Sequence, residues 1–315
     1  MILDMRIYTL IILFLLSACN FDVYGNEEEL SAVQTSNMSN DESTTGTPNE
    51  SSEEENGAND DIFKENLDVG ESELLCQKID FLFVVDNSGS MGDNQENIIN
   101  NFPKFIEGIS SLTGYQDFHI GVVTTDDYMY NHPNCRTLGG LVAFTGGNNS
   151  SNSACGPWKN GNFMTGNEIF EGFECAALVG TEGASGEQTI GAFINSLDPF
   201  LTSEDQCNEG FLREDAILVV VFITDEEDIS TPGNLTLWKD KVEFYKGIEN
   251  VIVLGLVPLS DSMCDCIPTP EVPTQMVDFI NLFKFSYIDD VCLENYGEFF
   301  TDSLDIIKTA CIPVE

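Results

Sequence analysis

Two stretches of the chain are apolar almost without interruption, and both end on an aspartate. Residues 79–85 read Ile-Asp-Phe-Leu-Phe-Val-Val before Asp86, and residues 216–224 read Ala-Ile-Leu-Val-Val-Val-Phe-Ile-Thr before Asp225. Short runs of this kind, apolar on both alternating faces, predict parallel strands buried from both sides. Elsewhere the period lengthens. Residues 94–112 set Ile98, Ile99, Phe102, Phe105, Ile106 and Ile109 at helical spacing, with Pro103 inside. The same reading predicts a strand over 118–124, helices over 168–179 and 185–197 broken by Gly180 and Gly183, and a helix over 235–247. A strand over 251–257, a short helix over 276–283, a last short strand over 285–288 and a closing helix over 298–309 complete the pattern. Strands alternating with helices imply right-handed crossovers, hence an α/β, doubly wound, mostly parallel sheet covered on both faces. Residues 126–167 follow neither period. They are rich in Asn, Gly and Ser, hold Cys135 and Cys155, and predict a loop insertion stapled by a bridge, a length that usually serves binding or recognition.

The first 73 residues change the picture. Residues 1–18 carry Arg6, offset by Asp4, and an apolar run over 7–16 that is too short to cross a bilayer and typical of an export signal. It ends in Leu16-Ser17-Ala18-Cys19, which resembles the bacterial lipobox, where Cys19 would be lipidated and become the new N-terminus. Residues 19–73 are Ser, Asn, Thr, Gly and acids with few large apolar side chains, so they are expected to form a disordered acidic tether. Folded sequence is expected from 74 to 315.

Acidic residues outnumber basic ones by 54 to 12 in the 315-residue chain, a net charge of −42. Such a field disfavours nucleic acid and anionic lipid as partners and favours cations and basic protein surfaces. Besides Cys19 there are nine cysteines: Cys76, Cys135, Cys155, Cys175, Cys207, Cys264, Cys266, Cys292 and Cys311. After an export signal, with only two histidines and no pair of CxxC motifs, they read as disulfides rather than a zinc site. The expected pairs are Cys76 with Cys311, tying the ends of the domain, and Cys135 with Cys155, closing a loop; an odd number leaves one thiol over.

The candidate chemistry lies where the apolar runs stop. Asp86, Ser88 and Ser90 offer oxygens spaced two apart, with Gly89 permitting a sharp turn. These are hard donors of the kind Mg²⁺, Mn²⁺ or Ca²⁺ prefer. Ligands of open doubly wound sheets sit beyond the carboxyl ends of the strands at the switch point. If the strands ending at Asp86 and Asp225 are neighbours, about 4.8 Å apart, both carboxylates address one ion, which relieves their repulsion.

The segments "VVDNSGSM" and "VVFITDEED" together resemble a von Willebrand factor type A domain, over about residues 76–311. The resemblance implies a metal-ion-dependent adhesion site in which the Ser88 and Ser90 hydroxyls ligate directly and Asp86 and Asp225 act directly or through water. It also implies a threonine from a loop before a central helix. Thr181 is nominated, with Thr165 and Thr189 as alternatives. The implied cofactor is a divalent cation, Mg²⁺ first and Mn²⁺ or Ca²⁺ next, and the implied function is capture of a protein or other acidic ligand, not catalysis. Lipobox, tether and domain together resemble a group of bacterial lipoproteins, placing the chain in the cell envelope on a lipid anchor.

One departure stands out. Many members have Thr-Asp-Gly where this chain has Thr-Asp-Glu, and Glu226, Glu227 and Asp228 form either a second cation site or a turn and helix N-cap. Asp126 and Asp127 end the 118–124 strand on the same edge, lining the binding face or simply turning the chain. Rival readings are a metal-dependent phosphatase or peptidase, and a structural envelope component with a stabilising metal. Against the phosphatase, the motif lacks a second carboxylate two positions on; His119 reads as packed, and His132 lies in a loop. Arg213 is expected to pair with a nearby acid.

Overall fold

A computed structural model describes residues 76–113, 117–184, 186–260, 262, 264 and 271–311; the export signal, Cys19, the tether and Cys266 lie outside them. Five strands and seven helices alternate in the order β1 (Ile79–Val85), α1 (Gly92–Thr113), β2 (Phe118–Thr124), α2 (Ile169–Ala177), α3 (Thr189–Ser196), α4 (Pro199–Thr202), β3 (Ile217–Ile223), α5 (Leu235–Tyr245), β4 (Val251–Val257), α6 (Thr274–Ile280), β5 (Phe285–Asp290) and α7 (Gly297–Cys311). The strands form one sheet in the order β2-β1-β3-β4-β5, with every pairing parallel. From β1 the chain steps to β2 on one side and later returns to β3 on the other, so the switch point falls between β1 and β3.

Burial on both faces explains why β1, β3 and β4 are apolar almost throughout. Phe81, Phe83 and Val85 of β1 pack with Phe102 and Phe105 of α1, Phe173 of α2 and Phe299 of α7. Leu82 and Val84 face the other way, onto Phe193 of α3, Trp238 of α5 and Phe279 of α6. Phe102 and Phe173 stack at 3.6 Å, and Phe83 meets Phe173 edge-on at 4.6 Å, which locks α1 and α2 over the same face. The expected fold class is therefore the observed one, a doubly wound sheet with a disulfide-containing insertion. Most boundaries shift by one to three residues from the sequence reading; the largest shift is at α3, which starts at Thr189 rather than 185, β5 runs on to Asp290, and the short helix α4 was not expected. Among the described residues, no helix is long and apolar enough to cross a membrane.

The bridges correct one expectation. Cys76 does pair with Cys311, but Cys135 pairs with Cys207 and Cys155 with Cys175; a further bridge joins Cys264 to Cys292. The reason is topological. Cys135 and Cys207 belong to the core on one face of the sheet, while Cys155 packs against the core of the other. The insertion is thus split across both faces and pinned separately on each. On its way it also covers the outer edge of β2: Met164 bridges Ile120 in antiparallel fashion, and Val142 N donates to Val122 O at 2.8 Å.

At the amino end of the sheet, Asp80 is fully buried and Arg213 neutralises it. Arg213 Nε donates to Asp80 Oδ1 at 2.7 Å and its backbone N to Oδ2 at 2.8 Å, while Nη1 reaches Asp117 at 2.5 Å. Burial raises the Asp80 carboxyl above its ordinary range, with Arg213 opposing. Removing one partner of a buried pair strands the other charge. In urea denaturation, Arg213→Met is expected to cost about 3–5 kcal/mol, and combining it with Asp80→Leu is expected to recover part of that loss.

Candidate metal centre

Parallel pairing places three strand ends abreast. Val85 of β1 is in register with Thr124 of β2 and with Ile223 of β3. The next residues, Thr125, Asp86 and Thr224, therefore form a row along the carboxyl edge. Asp86 N still donates to Ile223 O at 3.0 Å, and its side chain is fully buried. Oδ1 accepts from Ser88 N at 2.7 Å, folding the Asn87-Ser88 turn back onto the strand, and Oδ2 accepts from Thr224 Oγ1 at 2.6 Å.

That turn brings the Ser88 and Ser90 hydroxyls within 3.4 Å of one another. The Ser90 hydroxyl lies near enough to Asp225 to oppose the rise that burial gives its carboxyl, and Asp225 Oδ1 is buried without a partner. Gln95, fully buried in the first turns of α1, clamps the arrangement: Nε2 donates to Asp86 O and Gly180 O, and Oε1 accepts from Gly180 N. Asp86, Ser88, Ser90 and Asp225 are thus brought together.

Thr181 sits at the rim. Its Oγ1 accepts from Asn149 Nδ2 at 3.2 Å and donates to Asn148 O at 3.5 Å, so the hydroxyl is engaged by the insertion. Of the alternatives, Thr165 is bonded to Asn160 and Glu168, whereas Thr189 is fully buried with an unpartnered Oγ1. Sequence reasoning did not nominate Glu187, which is 1% exposed; its Oε2 accepts from Thr125 Oγ1 and its Oε1 has no partner. Its only sequence signal is an acid in a Gly-rich segment directly before an apolar helix.

The remaining acids divide by role. Glu227 accepts from the backbone N of Gln275 and Met276 at the start of α6, and Asp228 accepts from Ile190 N in α3 and from Thr231. These two are helix-capping anchors, leaving Glu226 exposed. Asp126 accepts from Asn87 Nδ2 and Ala184 N, and Asp127 from Leu138 N. Asp126, Asp127, Tyr128, Met129, Tyr130 and Glu182 line a cleft of about 240 Å³ that opens beside Asn87.

Burial pushes the Asp86 carboxyl up to about 7, with Thr224 opposing and the Asp225 charge adding to the rise. Burial likewise pushes Glu187 up to about 9, with the Asp86 charge the next contribution, and it raises Asp225 and Glu226. The ion pairs among the described residues lie elsewhere, on Asp80, Asp117 and Asp215. Uncompensated carboxylates with orphaned oxygens, next to converging hydroxyls, fit a hard divalent cation. No group of three or more His, Cys, Asp or Glu side chains is gathered as a metal cluster among the described residues. The donors that converge are hydroxyls as much as carboxylates.

With Asp86 near 7 and Glu187 near 9 in the fold, against ordinary values of 3.8 and 4.5, the native state holds protons that the unfolded chain has released. Stability of the metal-free chain is therefore expected to fall as pH rises from about 5 to about 9. Adding a divalent cation at the alkaline end should restore it, because the cation takes the protons' place. Thermal melts across that range check this, and Asp86→Asn should flatten the profile.

A scan against protein-family models finds no match, and a search of curated proteins finds none. Solved structures that match include proximal thread matrix protein 1 from the mussel byssus, at 13% identity and a TM-score of 0.41 over 75% of this chain and 49% of that one. A structure of the same mussel protein with a zinc-occupied MIDAS motif matches at 15% identity and a TM-score of 0.42, over 76% of this chain and 49% of that one. The chain spans about half the length of the mussel protein.

Proposed function

We propose that this chain is an exported binding protein, held to the bacterial cell envelope by a lipid on Cys19, that captures a protein or other acidic ligand through a divalent cation. One observation carries the reading: buried Asp86 and Asp225 end adjacent parallel strands beside the paired Ser88 and Ser90 hydroxyls, and among the described residues no basic side chain is paired with either. Mg²⁺ is the first candidate, and Mn²⁺ or Ca²⁺ share its preference for oxygen donors.

Neutral hydroxyl donors leave positive charge on a bound cation for a partner's carboxylate to meet. The chain's own residues hold that position open to solvent. Ser90 is half-buried and Gly89 exposed, while Asp86 and Thr224 are closed off behind them. Binding is favoured over catalysis because neither histidine stands at the strand ends. His119 Nδ1 lies 2.9 Å from Phe211 O and 3.8 Å from Asp80 Oδ1, at the far end of the sheet, and the His132 ring packs near Phe144.

The test is a pull-down from cell-envelope extract with Mg²⁺ present. Wild-type chain should retain a partner that chelator releases, and Asp86→Ala should lose both the partner and cation affinity, by on the order of 100-fold. A partner kept equally by Asp86→Ala and in chelator would overturn the proposal.

A further inference from the structure

Of the four buried side-chain oxygens without a partner among the described residues, two lie in one crossing, Glu187 Oε1 and Thr189 Oγ1, and a third, Asp225 Oδ1, stands just beyond β3. The crossing is residues 186–190. On one side Gln188 N donates to Thr125 O, just beyond β2, at 3.1 Å. On the other, a Cβ at Gly186 would stand 3.0 Å from Ser230 Oγ, and Ile190 N donates to Asp228 at 2.7 Å, both in the loop after β3. Because β1 lies between β2 and β3, the segment is strung across the end of β1 that carries Asp86.

We propose that Glu187 is a third carboxylate of the cation site, turning its free Oε1 to the cation from the β2 side in the place for which the sequence nominates Thr181. This rests on the cation reading above. Glu187 is held in place by the Thr125 hydroxyl, which donates to Oε2 and lies 3.3 Å from Oδ1 of Asn87, the residue after Asp86. A carboxylate oxygen buried without a donor is expensive, and neither Lys nor Arg is bonded to it. Among the described residues the three carboxylates are not gathered into one cluster, so Glu187 reaches the cation through a bound water, in a site that satisfies their buried oxygens together. Thr181 is already spent on Asn148 and Asn149. Cation affinity in oxygen sites rises with the number of charged ligands, so the third carboxylate tightens the hold.

The experiment is calorimetric titration of Mg²⁺, Mn²⁺ and Ca²⁺ into the metal-stripped full chain, with circular dichroism as the check on folding. Glu187→Gln should weaken binding at least about tenfold, while Thr181→Val stays near wild type. Free of metal, Glu187→Gln should also gain less thermal stability from added cation than wild type does. Wild-type affinity in Glu187→Gln alongside loss in Asp86→Ala would overturn the assignment of Glu187 and leave the cation reading standing. Wild-type affinity in Asp86→Ala as well would overturn both. Should Glu187→Gln fail to fold, Glu187→Asp decides the matter: it keeps the charge but withdraws it by one methylene, so weakened binding is expected and unchanged binding overturns the proposal.

Discussion

Two carboxylates are buried where adjacent parallel strands stop, and the pairing of β1 with β3 is what puts them there. In-register pairing of Val85 with Ile223 sets Asp86 beside Thr224, and the hydrogen bond between their side chains at 2.6 Å ties the two strand ends into one edge. A slip of one residue would turn Phe81, Phe83 and Val85 toward the wrong core and carry Asp86 out of the row. The two-sided burial of the sheet is thus what makes the site's geometry definite. Packing of Phe83 against Phe102 and Phe173 and the reach of Asp86 toward Thr224 are consequences of one register.

Around that edge the loops are fixed by polar contacts rather than by regular structure. Gln95 joins the turn after β1 to the loop after α2; Asn87 joins it to Asp126 and to Gly183. The acids after Asp225 serve the same end, with Glu227 holding α6 and Asp228 holding α3 through their helix N-termini, where negative charge is favoured. A loop that looks over-charged in the sequence is therefore a fastening between β3 and two helices. Its charge is largely spent on backbone amides.

What was legible in the sequence was local. Strands β1, β3 and β4 announced themselves by nearly continuous apolar runs, and Asp86, Ser88, Ser90 and Asp225 are legible because each lies within a few residues of a strand end. The buried position of Glu187 was not legible, because it depends on a crossing from Thr125 to the loop after β3, and no periodicity encodes a crossing. Thr181 drew the nomination because it follows one expected helix and precedes the next, yet its neighbours Asn148 and Asn149 come from an insertion whose path spacing does not reveal. The Cys135–Cys155 expectation failed for a related reason: separation along the chain says nothing about which face of a sheet a loop visits. Cys76 with Cys311 was readable because both flank the folded sequence.

That last bridge has a mechanical meaning. The polypeptide preceding Cys76 delivers any tension at a residue only three positions before β1, the strand that ends at Asp86. Because Cys76 is clipped to Cys311 in the last turn of α7, the load divides at the point of entry and passes into a helix packed against α1 and β5. A pull arriving there is thus borne by α7 as well as by β1, whose carboxyl end lies at the opposite edge of the sheet.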